Sequence, residues 1–177
     1  MSASMIEMFE SLIRNPITRR LLLKITDYCE KDGASRLEIA LELFAGVRDD
    51  ACFKCKLAEK TVAKVVRSGA TAFGADEEVI IQRLKDPYWR KGLASVVKGL
   101  AIFGVRKPFV PGAPFQVVWD FTYACNLKCK HCYASAGVPL ADELNTEEAL
   151  ALVDKLAKWG VTILAFSGGQ PLVRRDF

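Results

Sequence analysis

The sequence predicts a chain in two parts: an all-helical N-terminal region, then the opening of an α/β domain in βαβ order. Three observations carry that reading. Apolar residues over roughly the first hundred positions recur at helical spacing, punctuated by Pro and Gly. Three prolines in seven residues, Pro108, Pro111 and Pro114, cannot continue a helix and mark a boundary. Beyond them, runs of β-branched and aromatic residues flank one amphipathic segment. The expected organisation is a helical domain over 1–107, a linker over 108–114 and an α/β region over 115–177.

Each element has its own signal. Met5, Met8, Phe9, Leu12 and Ile13 follow helical spacing. Asn15-Pro16 stops that helix and starts the next, with Pro16 suited to a first helical position. The second helix is expected to run to about Lys31 and end at Gly33, which puts Cys29 among its apolar positions. Ser35 and Glu38 form a capping box for a third helix that stops near Gly46. A fourth is expected from Cys52 to Ser68, before Gly69, and a fifth from near Asp76. Asp86-Pro87 restarts the chain in a sixth that reaches about Gly104.

After the prolines, Phe115 to Thr122 reads as a strand and Tyr123 to Leu144 as a loop. Asn145 or Thr146 caps a helix whose Glu147 and Glu148 suit its positive end, and Ala149, Leu152, Val153 and Leu156 form its apolar face. Gly160 ends it. Val161 to Phe166 is apolar on both faces, as a buried parallel strand is.

Composition narrows the class. With 51% hydrophobic and 26% charged residues, the 177-residue chain can bury a core. A net charge of +4 does not require nucleic acid, and no nucleic-acid partner is expected. Met1 to Leu12 lacks the basic start and apolar run of a secretory leader. No run reaches the ~18 apolar residues of a membrane span. Ala94 to Val105 is interrupted by Lys98, and its basic flanks Arg90, Lys91, Arg106 and Lys107 fit docking on the rest of the protein. Three of the six cysteines crowd into eight residues, too close for a disulfide framework. Metal binding in a reducing, cytoplasmic compartment is the reading.

Those three lie in Tyr123-Ala124-Cys125-Asn126-Leu127-Lys128-Cys129-Lys130-His131-Cys132-Tyr133, spaced Cys-x3-Cys-x2-Cys. Soft thiolates suit iron–sulfur clusters. A short loop can wrap three corners of a cubane but not easily the fourth, which leaves one iron open to another ligand. Zinc is the alternative, with His131 as a fourth ligand, but adjacent His131 and Cys132 would struggle to reach one tetrahedral ion.

The spacing of Cys125, Cys129 and Cys132, the aromatic position before the third cysteine and the Trp119-Asp120-x-Thr122 lead-in resemble the radical S-adenosylmethionine (SAM) superfamily. The resemblance implies a partial (β/α)6 TIM-type barrel, of which only βαβ is present, a [4Fe–4S] cluster on the three cysteines, and SAM chelating the open iron. It implies one-electron cleavage of SAM to methionine and a 5′-deoxyadenosyl radical that abstracts hydrogen from a substrate. His131 stands where the family packs an aromatic near adenine, and Tyr133 suits an aromatic or ordinary packing role.

Ser167-Gly168-Gly169-Gln170-Pro171 resembles the family's Gly-Gly-Glu-Pro motif, which implies that Gly168, Gly169 and Gln170 contact the SAM amino group and that Pro171 shapes the turn. Gln170 departs from the motif's Glu: an amide oxygen still accepts a hydrogen bond, but without charge.

The resemblance covers about 115–177, and the family's later strands, with most of the substrate pocket, lie outside it. A partial sequence, a split enzyme and a decaying gene copy all fit, and the 177-residue chain alone is expected not to cleave SAM. The lead-in and loop look most like the subgroup that matures peptides or tetrapyrrole-type cofactors. A reductant such as ferredoxin or flavodoxin and a peptide or cofactor precursor are the implied partners. The competing functions are an iron–sulfur electron carrier or redox sensor without SAM chemistry, and a zinc-stabilised structural domain. Finally, Cys52-Phe53-Lys54-Cys55 and Cys29 are open to two readings, an auxiliary cluster or metal site and small core residues, and the second is adopted.

Overall fold

The computed structural model describes residues 13–177 together with Glu7, Glu10 and Ser11. Met5, Met8, Phe9 and Leu12, on which the first helix was expected, lie outside the described residues, as does most of the Met1 to Leu12 stretch. Ile13, at the end of that segment, is helical and buried. The chain forms two compact units, Met1–Phe115 and Gln116–Phe177.

In the first unit, Asn15 caps α1 (Pro16–Thr26) by accepting the Ile17 N–H at 2.8 Å, with Pro16 in the first turn. The expected continuation to Lys31 does not occur. Thr26 Oγ1 turns back to the carbonyls of Leu22 and Leu23, and Asp27 leaves the helical region at φ −61°, ψ 146°. The chain then makes a small antiparallel hairpin, β1 (Tyr28–Cys29) with β2 (Ala34–Ser35). Gly33, expected to end a helix, instead supplies the hairpin's left-handed residue at φ 78°. The N-terminal region is therefore not all-helical, and Cys29 sits on a strand.

Ser35 caps α2 (Arg36–Phe44), accepting the Glu38 N–H at 3.2 Å. The next helix, α3 (Phe53–Phe73), runs through Gly69, where a stop was expected, and ends at Gly74 with φ 63°. One interior glycine costs about 1 kcal/mol. Burial of Val62 and Ala70 on the same helix outweighs it. Asp76 caps α4 (Glu77–Leu84) and Asp86 caps α5 (Pro87–Phe103). The buried Arg90 reaches back from α5, and its Nη1 donates to the carbonyls of Leu84 and Lys85 at 2.6 and 2.8 Å, closing the end of α4. The core joins Leu37, Ala40 and Leu41 of α2 to Ala58 and Val62 of α3 and to Leu84. The proline-rich segment lies along α5, with the Gly112 N–H on the Ser95 carbonyl at 2.8 Å. No helix among the described residues is long and apolar enough to cross a membrane.

The second unit contains β3 (Gln116–Thr122), α6 (Thr146–Trp159) and β4 (Ile163–Gly168). The strands pair in parallel, with Val117 opposite Leu164, Trp119 opposite Phe166, and a shift between Asp120 and Thr122. Asn145 and Glu148 close a reciprocal capping box at the start of α6, and Gly160 ends it. The expected strand at Val161 begins two residues later, because the Val161 N–H still bonds the Leu156 carbonyl, and it extends to Gly168. Trp119, Phe121, Phe166 and Phe177 stack edge to face or tilted at 5.1–5.8 Å. The protein is thus mixed α/β, with a two-stranded parallel sheet and no closed barrel among the described residues.

Candidate functional site

The cysteine loop leaves the end of β3 and is tied at its base. The Gly137 N–H donates to the Tyr123 carbonyl at 2.9 Å, and the Cys125 N–H donates to the Gly137 carbonyl at 3.2 Å. Glu143 fixes the same base from the far end of the loop. Its Oε1 accepts the N–H groups of Tyr123 and Leu140 at 2.7 and 2.9 Å, and its Oε2 accepts the fully buried Thr122 hydroxyl at 2.9 Å. Burial pushes this carboxyl up, but the three hydrogen bonds and the charge of Arg174 outweigh it and hold Glu143 below its ordinary value.

Cys125, Cys129 and Cys132 line one cavity of about 410 Å³, with Lys128 and Lys130 also on its wall. No further Cys, His, Asp or Glu lines it among the described residues, and His131 is exposed outside that lining. The backbone N–H groups of Ala136, then Ala134 and Ser135, turn toward the Cys132 sulfur and hold its thiol below the ordinary value, against desolvation. Ser135 reaches this position with φ 48°, giving the concave run of N–H groups that stabilises an anion. The Leu127 N–H points at Cys125 Sγ at 3.4 Å. The wall offers three soft donors, one of them pre-disposed to the thiolate, beside two cations.

The glycine turn at the end of β4 is stitched to this base. The Gly169 N–H donates to the Thr122 carbonyl at 2.6 Å and the Gln170 N–H to the Ala124 carbonyl at 2.9 Å. Such proximity requires the glycines: Gly168 has φ 95°, and a Cβ on Gly169 would lie 2.2 Å from the Ala124 oxygen. Tyr133 adds a side-chain link. Its hydroxyl donates to Asp120 Oδ1 at 3.0 Å, bonds the Ser167 hydroxyl, and accepts the Gly168 N–H at 3.4 Å. Pro171 opens a single 3-10 turn, Pro171–Val173.

Residues 119–177 match the family model of the radical SAM superfamily. This segment, a third of the chain, is similar to the radical SAM superfamily. That superfamily works with a [4Fe–4S] cluster and SAM, and the cavity's donors are of the type such a cluster takes. Among similar proteins, Fe-coproporphyrin III synthase of Methanosarcina barkeri is 52% identical over 61 residues, 34% of this chain and 15% of its own. Mycofactocin maturase MftC of Mycolicibacterium smegmatis is 42% identical over 65 residues, 37% of this chain and 17% of its own. AdoMet-dependent heme synthase of Oleidesulfovibrio alaskensis is 46% identical over 61 residues, 34% of this chain and 16% of its own. The chain thus spans less than a fifth of the length of these relatives. No solved structure matches.

The matched segment therefore brings Cys125, Cys129 and Cys132 together and sets Gly168, Gly169 and Gln170 against the base of their loop. Sequence reasoning missed Glu143, the Tyr133 link and the N–H groups of 134–136. Two act through the backbone or across the loop, and no spacing signals them. In the first unit Cys29, Cys52 and Cys55 also converge, with Asp32 among them.

Proposed function

We propose that this chain supplies the opening of a radical SAM enzyme, with Cys125, Cys129 and Cys132 as ligands to three irons of a [4Fe–4S] cluster. The observation that supports it most is the single cavity lined by those three cysteines and by no other ligand type among the described residues. That donor set leaves one iron for SAM. The cluster, when bound, supplies one electron that cleaves SAM to methionine and a 5′-deoxyadenosyl radical.

The chain's own residues have separable tasks in this reading. The N–H groups of 134–136 lower the Cys132 thiol pKa and bias the group toward the thiolate, which favours ligation. Lys128 and Lys130 balance the negative charge that three thiolates bring. Gly168 and Gly169 let the backbone approach SAM, and the Gln170 amide oxygen accepts from its amino group. His131 packs on the adenine side. The two parallel strands stand as the start of a partial (β/α)6 barrel preceded by a helical domain. The names of the similar proteins, a maturase and heme and coproporphyrin synthases, support a peptide or cofactor precursor as substrate. A ferredoxin or flavodoxin in a reducing cytoplasm would supply the electron.

Anaerobic reconstitution tests the assignment. About four irons and four sulfides per chain are expected, with each of Cys125→Ala, Cys129→Ala and Cys132→Ala losing most of that iron. Full iron content in all three variants would refute it. A cluster that ignores SAM in the complete protein would favour the electron-carrier reading instead.

A further inference from the structure

The first unit carries a second convergence of ligand atoms, independent of the radical SAM segment. The sulfurs of Cys29, Cys52 and Cys55 and a carboxylate oxygen of Asp32 all lie within 4.8 Å of one another. They come from two turns built alike. Cys29-x2-Asp32 is closed by the Asp32 N–H on the Cys29 carbonyl at 3.2 Å, and Cys52-x2-Cys55 by the Cys55 N–H on the Cys52 carbonyl at 3.0 Å. Two ligand pairs, each with two intervening residues, one on a hairpin and one at a helix start, are the arrangement tetrahedral zinc sites use.

The distances fit one ion. Cys29 Sγ and Cys52 Sγ are 3.7 Å apart. That is far beyond the ~2.05 Å of a disulfide. Metal–sulfur bonds of about 2.3 Å at tetrahedral angles place two sulfurs about 3.8 Å apart. Cys29 Sγ to Asp32 Oδ2, at 3.3 Å, is the shorter edge expected with an oxygen ligand. A cubane, whose terminal sulfurs radiate from separate irons, would spread them much further. Asp32 is already oriented, accepting the Cys52 N–H at 3.2 Å. Ile39, Ala34 and Leu43 wall the group, with Cys29 and Cys55 buried among them. Arg48, donating to the Asp32 main-chain oxygen at 3.4 Å, places a cation beside it.

We propose that Cys29, Asp32, Cys52 and Cys55 form a mononuclear tetrahedral site for Zn²⁺ that staples the β1–β2 hairpin to the start of α3. Binding converts three thiols to thiolates and releases three protons to solvent. The small-core reading of these cysteines accounts for the burial of Cys55, but not for a carboxylate set among three sulfurs.

The test uses the 177-residue chain with Cys125, Cys129 and Cys132 all replaced by Ala, so that the other site contributes no metal. Prepared under reducing conditions, it should retain about one Zn²⁺ per chain. Co²⁺ in its place should give sulfur-to-cobalt charge-transfer bands and tetrahedral d–d absorption. Cys52→Ser should lower the charge-transfer intensity by about a third, since one of three thiolates is lost. Asp32→Asn should keep that intensity while weakening Zn²⁺ binding at least tenfold against a competing chelator. Far-UV circular dichroism separates a lost ligand from a lost fold, and Asp32→Asn serves as the milder variant where Cys52→Ser does not fold. Folded triple variant that binds no Zn²⁺ would overturn the proposal. So would a Cys29–Cys52 disulfide under the same reducing conditions, or Zn²⁺ binding unchanged by both substitutions.

Discussion

At the base of the cysteine loop one carboxylate satisfies three donors, so Glu143 is where a single substitution should loosen the site. Glu143→Gln removes the charge and replaces one acceptor with an NH2, which faces the Thr122 hydroxyl when the amide oxygen keeps the two N–H groups. The expected cost is about 1–2 kcal/mol, read by urea unfolding. Because the Glu143 carboxyl is held below its ordinary value, its stabilisation is complete above the unfolded carboxylate pKa, about 4.3. It is lost as pH falls below that toward the folded-state value. The wild-type chain should therefore lose more stability between pH 5 and 3 than Glu143→Gln does. Equal slopes would remove Glu143 from this role. Gln170 permits the opposite experiment. Gln170→Glu restores a charged acceptor, and in the completed protein it should tighten SAM binding about five- to tenfold. Unchanged affinity in a calorimetric titration would place Gln170 away from the SAM amino group. The convergence of Cys125, Cys129 and Cys132 on one cavity was legible in the sequence because their close spacing confines them to one loop. Glu143 was not, since its partners are backbone N–H groups of Tyr123 and Leu140 that no residue pattern encodes.

The elements follow from caps more than from hydrophobic runs. Asn15-Pro16, Asp86-Pro87 and Asn145 with Glu148 each start a helix where the sequence says, because each side chain accepts an N–H that the first turn cannot otherwise pair. Helix ends were read less well. Thr26 and Asp27 end α1 through local hydrogen bonding that competes with an otherwise helical pattern, and α3 runs on through Gly69 to bury Ala70. Asn145→Ala breaks a complete capping box and should cost about 1 kcal/mol. Thermal unfolding of the second unit by near-UV circular dichroism, through Trp119, would show it, and an unchanged midpoint would mean that α6 is held by packing alone. At the end of β4, Gly169→Ala meets the Ala124 carbonyl, a rigid backbone neighbour. A loss of about 1–3 kcal/mol is expected, with the cysteine loop displaced and cluster retention on reconstitution reduced.

At the scale of the whole molecule, two compact units each gather soft ligands, but with different geometry. The first packs three thiols and a carboxylate within 4.8 Å, the spacing of a single ion. The second spreads three thiols around an open cavity of about 410 Å³ flanked by lysines. The α/β class and the parallel pairing were legible because βαβ order leaves few alternatives. The hairpin that carries Cys29 was not, since four paired residues are too short for any periodicity to register. In the second unit, Cys125, Cys129 and Cys132 are proposed to hold a [4Fe–4S] cluster with one iron left for SAM. Low-temperature EPR of the reconstituted, reduced chain with and without SAM tests it most directly. A [4Fe–4S]⁺ signal that changes shape with SAM and vanishes in Cys125→Ala is the result predicted. A signal that survives replacement of all three cysteines, or a colourless protein holding zinc in that cavity, would contradict the account.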